Sequence, residues 1–118
     1  MKNIAPEIIR KRLLLEAKYT ISVSDKIVGD FLIKLPKALD LKVYGEPIIH
    51  SPAGQGKWEN QGYDGFIPLI DSGIYIGVWA NKKFLSCVIY TCKDFPTKEA
   101  VRFTKEFFET SEIEFMEF

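Results

Sequence analysis

From Arg12 to Ile21 the chain alternates: Leu13, Leu15, Ala17, Tyr19 and Ile21 share one parity, with Arg12, Glu16, Lys18 and Thr20 on the other. A period of two predicts a strand with one face on a core. After Ser24 the period lengthens. Ile27, Val28, Phe31, Leu32 and Leu35 form a helical stripe, Ser24 fits an N-cap, and Asp25 suits the positive first turn. Pro36 removes a donor and crowds the preceding turn, so the helix is predicted to stop or kink near Leu35, with a short further turn through Leu39. A second strand is expected over 42–50, edge-like because Gly45 and Pro47 interrupt it.

Residues 51–63, SPAGQGKWENQGY, read as a long loop. Beyond it, Ile74, Ile76 and Val78 alternate with Tyr75, Gly77 and Trp79, and 84–92 alternates likewise, which predicts antiparallel strands. Asp71-Ser72-Gly73 reads as the hairpin turn, because Asp and Ser bond their own backbone and Gly tolerates positive φ. A second helix is expected after Asp94, a fitting cap, with Pro96 in its first turn and Ala100, Phe103 and Phe107 facing the core. Ile113 and Phe115 oppose Glu112 and Glu114 in a closing strand. The fold class is therefore α+β, a two-layer sandwich of one antiparallel sheet with both helices on one face. The other face is either solvated or covered by another copy.

Composition narrows the function. A chain of 118 residues with 47% hydrophobic content suits one domain, 1–118, with residues 1–10 as an N-terminal arm. Sixteen basic residues balance sixteen acidic ones, which argues against nucleic acid or an anionic membrane as partner. No apolar run reaches the length of a membrane span, and the N-terminal charges are wrong for a signal peptide, so the cytoplasm is expected. Cys87 and Cys92 lie five apart on one predicted strand, hence on opposite faces, which disfavours a disulfide. A single His, His50, and the absence of CxxC leave a zinc site unsupported. Trp58, an indole in a polar loop, either folds back on the core or stays exposed for a ligand.

Several short segments at fixed spacing resemble the prokaryotic, pyruvoyl-dependent S-adenosylmethionine decarboxylases. Asp71-Ser72-Gly73 occupies the place of the Glu-Ser-His at which those proteins cut their own chain. The strand behind it carries a matching Trp, Trp79, and Thr91-Cys92-Lys93 follows Ser72 at the spacing of the family's Thr-Cys-Gly. The resemblance implies that Ser72 is the precursor of a pyruvoyl group, the electron sink for decarboxylation of an amino-acid substrate. It also implies that Cys92 donates a proton to product, that Trp58 stacks on adenine, that Glu16 contacts ligand, and that the chain forms a homodimer. Cys92 reads equally as a small buried residue at a strand end.

The departures from that pattern bear on the chemistry. The family's proton-abstracting His is Gly77 here, the His after the cleavage Ser is Gly73, and the Ser eight residues before it is Asp64. Ester formation by Ser72 on the Asp71 carbonyl must be followed by β-elimination, which needs a base at the Ser72 α-proton. Gly77 supplies none. A desolvated Asp64 would be a substitute base, yet its charge would oppose the developing oxyanion. The expectation is a poorly or non-self-processing homologue that binds a nucleoside or amino acid, or pairs with a paralogous subunit. The alternative is an active pyruvoyl enzyme.

Overall fold

The first alternating segment is a strand, β1 (Lys11–Lys18), with Leu13, Leu15 and Ala17 buried and Glu16 and Lys18 in solvent. Residues 1–51 and 57–118 are described by a computed structural model. Part of the predicted 51–63 loop, residues 52–56, lies outside the described residues.

Helix α1 spans Asp25–Ala38. Ser24 caps it as predicted, its Oγ accepting from the Ile27 amide at 3.3 Å. Pro36 does not end the helix, contrary to expectation. Its ring is buried with Leu32 and Leu35, and the Leu39 amide still donates to the Leu35 carbonyl at 3.1 Å. Core burial of this turn offsets the one hydrogen bond that the proline removes.

The expected second strand is broken into two pieces. Val43 makes a single bridge to Leu69, and β2 proper is only Ile48–His50, because Pro47 lacks the amide needed for a continuous ladder. A 3₁₀ turn, Trp58–Asn60, then leads into β3 (Gly62–Leu69), β4 (Ser72–Trp79) and β5 (Phe84–Thr91).

The β3–β4 turn is also shifted from the prediction. Leu69 pairs with Ser72, so the loop is Ile70–Asp71 and Ser72 and Gly73 already belong to β4. Asp71 takes the left-handed conformation, φ 60°, one that Asp tolerates better than most residues. Gly73 is needed for a different reason: a Cβ there would stand 2.8 Å from the Phe66 ring.

The N-cap of helix α2 (Thr97–Phe108) is Pro96, two residues beyond the expected Asp94. Asp94 accepts instead from the Phe95 amide at 2.9 Å and pairs with Lys11. Ala100, Thr104 and Phe108 are its fully buried face, with Phe103 and Phe107 partly buried beside them. Phe31 of α1 meets Phe103, Phe107 and Phe108 at ring distances of 6.0, 5.3 and 4.8 Å, which ties the two helices together. Strand β6 (Glu112–Glu117) closes the sheet, whose order is β2-β3-β4-β5-β1-β6 with every pairing antiparallel.

The predicted α+β two-layer sandwich is thus the observed one. The inner sheet face and both helices enclose the core. Among the described residues no helix is long and apolar enough to cross a membrane. The outer face carries side chains in rows set by register. One row is apolar, Phe66–Tyr75–Val88–Leu14–Met116, and the next is polar, His50–Asp64–Gly77–Ser86–Glu16–Glu114.

Candidate functional site

Ser72 opens β4 on the inner parity, opposite Thr91 at the end of β5. Its hydroxyl donates to Thr91 Oγ1 at 2.8 Å and accepts from the Cys92 amide at 3.3 Å. Thr91 Oγ1 also accepts from the Lys93 amide at 2.9 Å, and Thr91 is fully buried. This hydroxyl pair locks the start of β4 to the turn that leaves β5. Cys92 lies just past the strand, half-buried, on a cavity of about 220 Å³ that Asp71 and Lys42 also line. Three residues singled out by spacing, Asp71, Ser72 and Cys92, therefore meet at one end of the sheet.

The other three do not join them. Asp64 pairs with Gly77 in the middle of the β3–β4 ladder, on the outer face. Its carboxylate accepts from the Tyr75 hydroxyl at 2.9 Å. Burial and this carboxylate raise the Tyr75 phenol above its ordinary pKa, so Tyr75 is a proton donor to Asp64 and not a base. Glu16 lies in the same polar row and accepts from Ser86 Oγ at 2.8 Å. Trp58 projects from its 3₁₀ turn, 59% exposed. Its carbonyl is held by Asn81 at 2.7 Å and its ring carries the Lys82 ammonium at 5.6 Å. The indole does not fold back as a lid. It presents an accessible aromatic face, as a stacking platform requires.

The space beside Gly77 is already filled. A Cβ built there would lie 3.1 Å from two ring carbons of Trp79 and 3.1 Å from the Tyr75 hydroxyl. Trp79 in turn rests on Phe84, ring centroids 5.3 Å apart. A cleft of about 340 Å³ lined by Asn60, Tyr63, Asp64 and Trp79 adjoins this cluster.

Two residues named from the sequence without a role of their own gain a place in the fold. Thr91 is the hydrogen-bond partner of Ser72, which only the β4–β5 register reveals. His50, the chain's one imidazole, stands opposite Asp64 on the edge strand. The lone-His signal was visible in the sequence, but its row was not. Cys87 is different in kind: it is fully buried beneath the helices, and burial pushes its thiol up to about 12.

The structure resembles the crystal structure of the adenosylmethionine decarboxylase from Aquifex aeolicus, with a TM-score of 0.72 over 94% of this chain and 89% of that one, at 18% sequence identity. That likeness shows a shared fold. No curated protein matches the sequence. Residues 14–118, however, match the family model described as S-adenosylmethionine decarboxylase, which covers both helices and five strands entirely and most of β1. The chain belongs to the S-adenosylmethionine decarboxylase family.

Proposed function

We propose that this chain is a family member that remains uncleaved at Asp71–Ser72 and acts as a cytoplasmic nucleoside-binding homologue, paired with a second copy of itself. The observation that carries the reading is the setting of Ser72. Its hydroxyl is engaged with a Thr hydroxyl and a backbone amide, neither of which removes a proton. The position from which the family's imidazole would act is Gly77, packed under Trp79 and Tyr75. The residues around Ser72 thus do not fit the formation of a pyruvoyl group. The exposed Trp58 ring supports stacking on a purine, S-adenosylmethionine or methylthioadenosine being the ligand class. The apolar row across the outer face supports a second copy as its cover.

One observation favours the alternative, an active pyruvoyl enzyme acting on S-adenosylmethionine or another amino acid. Ser72 and Cys92, nucleophile and proton donor in that scheme, are neighbours, the Cys92 backbone amide donating to Ser72 Oγ. Denaturing mass spectrometry decides between the two. A single species near 13.5 kDa is expected. Two fragments meeting at Asp71–Ser72, absent in Ser72→Ala, would establish the enzyme instead.

A further inference from the structure

We infer that the cavity enclosed by the N-terminal arm and the start of β1 binds an oxyanion, a carboxylate or phosphate group carried by a small organic molecule. The cavity measures about 450 Å³. Its polar lining is cationic, Lys2, Arg10 and Arg12 with the Asn3 amide, and no carboxylate lines it among the described residues. Ile4, Ile8 and Ile9 supply apolar walls suited to the organic body of a ligand.

Arg12 makes this more than a basic patch. Its Nε is buried and has no hydrogen-bond partner among the described residues. A guanidinium donor withdrawn from water is rarely left unpaired, because the desolvation cost is then unrelieved. Phe118 holds the group from one side, its ring centroid 5.7 Å from the guanidinium carbon, and Tyr90 flanks it in register on β5. The arm itself is pinned. Arg10 donates to the Asn3 side chain and to the Ala5 carbonyl at 3.2 Å, and the Ala5 amide also donates to Asn3. Arg10 thus shapes the cavity, while Arg12, whose side chain makes no hydrogen bond among the described residues, lines it. A fork of N–H donors of this kind matches the two oxygens of a carboxylate or phosphate.

This pocket is not the Trp58 platform. Arg12 shares its row with Tyr90 and Gly73, next to the Ser72 end of the sheet, whereas Trp58 is at the opposite end beside Asn81. The inference therefore stands or falls independently of nucleoside binding.

The test follows the Arg12 Nε–H resonance of ¹⁵N-labelled full chain while inorganic phosphate, or separately succinate, is titrated at constant ionic strength against chloride. A saturable shift with either anion is expected; phosphate alone, or succinate alone, identifies the source of the oxyanion. Read in the variants from the Arg10 Nε–H and the backbone amides of residues 2–12, Arg12→Gln is expected to weaken the binding about tenfold, with Arg12→Lys intermediate. Should Arg12→Gln not fold, Lys2→Gln with the same resonance readout replaces it, and a several-fold loss is expected. No shift with either anion overturns the inference. So does a shift that chloride reproduces, or affinity unchanged in the folded Arg12→Gln chain.

Discussion

Asp64 and Ser72 are eight residues apart in sequence, yet they stand apart on the same strand pair and face opposite sides of the sheet. Asp64 is in register with Gly77, five residues along β4 from Ser72, a separation of about 16 Å at the rise of an extended strand. Within one chain the carboxylate cannot reach the Ser72 α-proton. Only a second copy laid across the outer face could bring such a group near, and even then Ser72 points inward.

The pairing with a second copy has its own test. Tyr75, Val88 and Leu14 occupy the centre of the apolar row, and an acidic side chain there would be desolvated without a partner. Wild-type chain should sediment at twice the mass of one chain at micromolar concentration, and Val88→Glu should reduce it to one. A wild-type mass equal to a single chain removes the homodimer.

Ligand binding is read from Trp58. In a Trp79→Phe background, S-adenosylmethionine or methylthioadenosine should quench the remaining indole, and Trp58→Ala should weaken binding by about 1–3 kcal/mol. If neither nucleoside binds the folded chain, the platform role is lost.

Restoring an imidazole on β4 should not be neutral. Gly77→His must displace the Trp79 ring and the Tyr75 hydroxyl, so it is expected to cost about 1–2 kcal/mol in urea unfolding. Both obstructing groups are the far ends of side chains on an open face, which keeps the cost moderate. Gly77→His with Asp64→Ser tests the ancestry of the site. No cleavage at Asp71–Ser72 is expected in that double variant, because positions 64 and 77 lie five residues along the strand pair from Ser72 and on the other face; cleavage would show that β3 and β4 can rearrange to bring them together.

Cys87 governs alkaline stability. Its thiol is held protonated in the fold up to about 12, well above the 9.0 of a free thiol. A raised folded-state pKa means that stabilisation is fully present below pH 9 and is lost as pH rises toward 12. Urea midpoints should therefore fall through this window, and Cys87→Ala should flatten the slope. In the native state iodoacetamide should modify Cys92 and spare Cys87; labelling of Cys87 first would contradict the burial.

Much of the fold is legible in the chain because it depends on local period. Leu13, Leu15 and Ala17 alternate, and Val28, Phe31, Leu32 and Leu35 recur at helical spacing, so each segment announces which side must be buried. Local rules fail where burial overrides them. Pro36 signals a helix end when judged by its missing donor, yet it is carried into α1 because its ring belongs to the core. Asp71-Ser72-Gly73 has the chemistry of a turn, yet the register of β3 against β4 places the turn one residue earlier.

The site divides along the same line. The family, the two-layer architecture and the candidate residues are all legible along the chain, because they rest on residue type, period and spacing in one dimension. Which of those residues meet is not legible there. Cys92, twenty residues beyond Ser72, is in contact with it, while Asp64, eight residues before, is not. Antiparallel pairing makes this so: the β4–β5 register returns the chain to its starting point, and the β3–β4 register carries Asp64 away from the turn. It is strand pairing that sets Ser72 against Thr91 and Cys92 and gathers Asp64, Glu16 and Gly77 into a separate row on the other face.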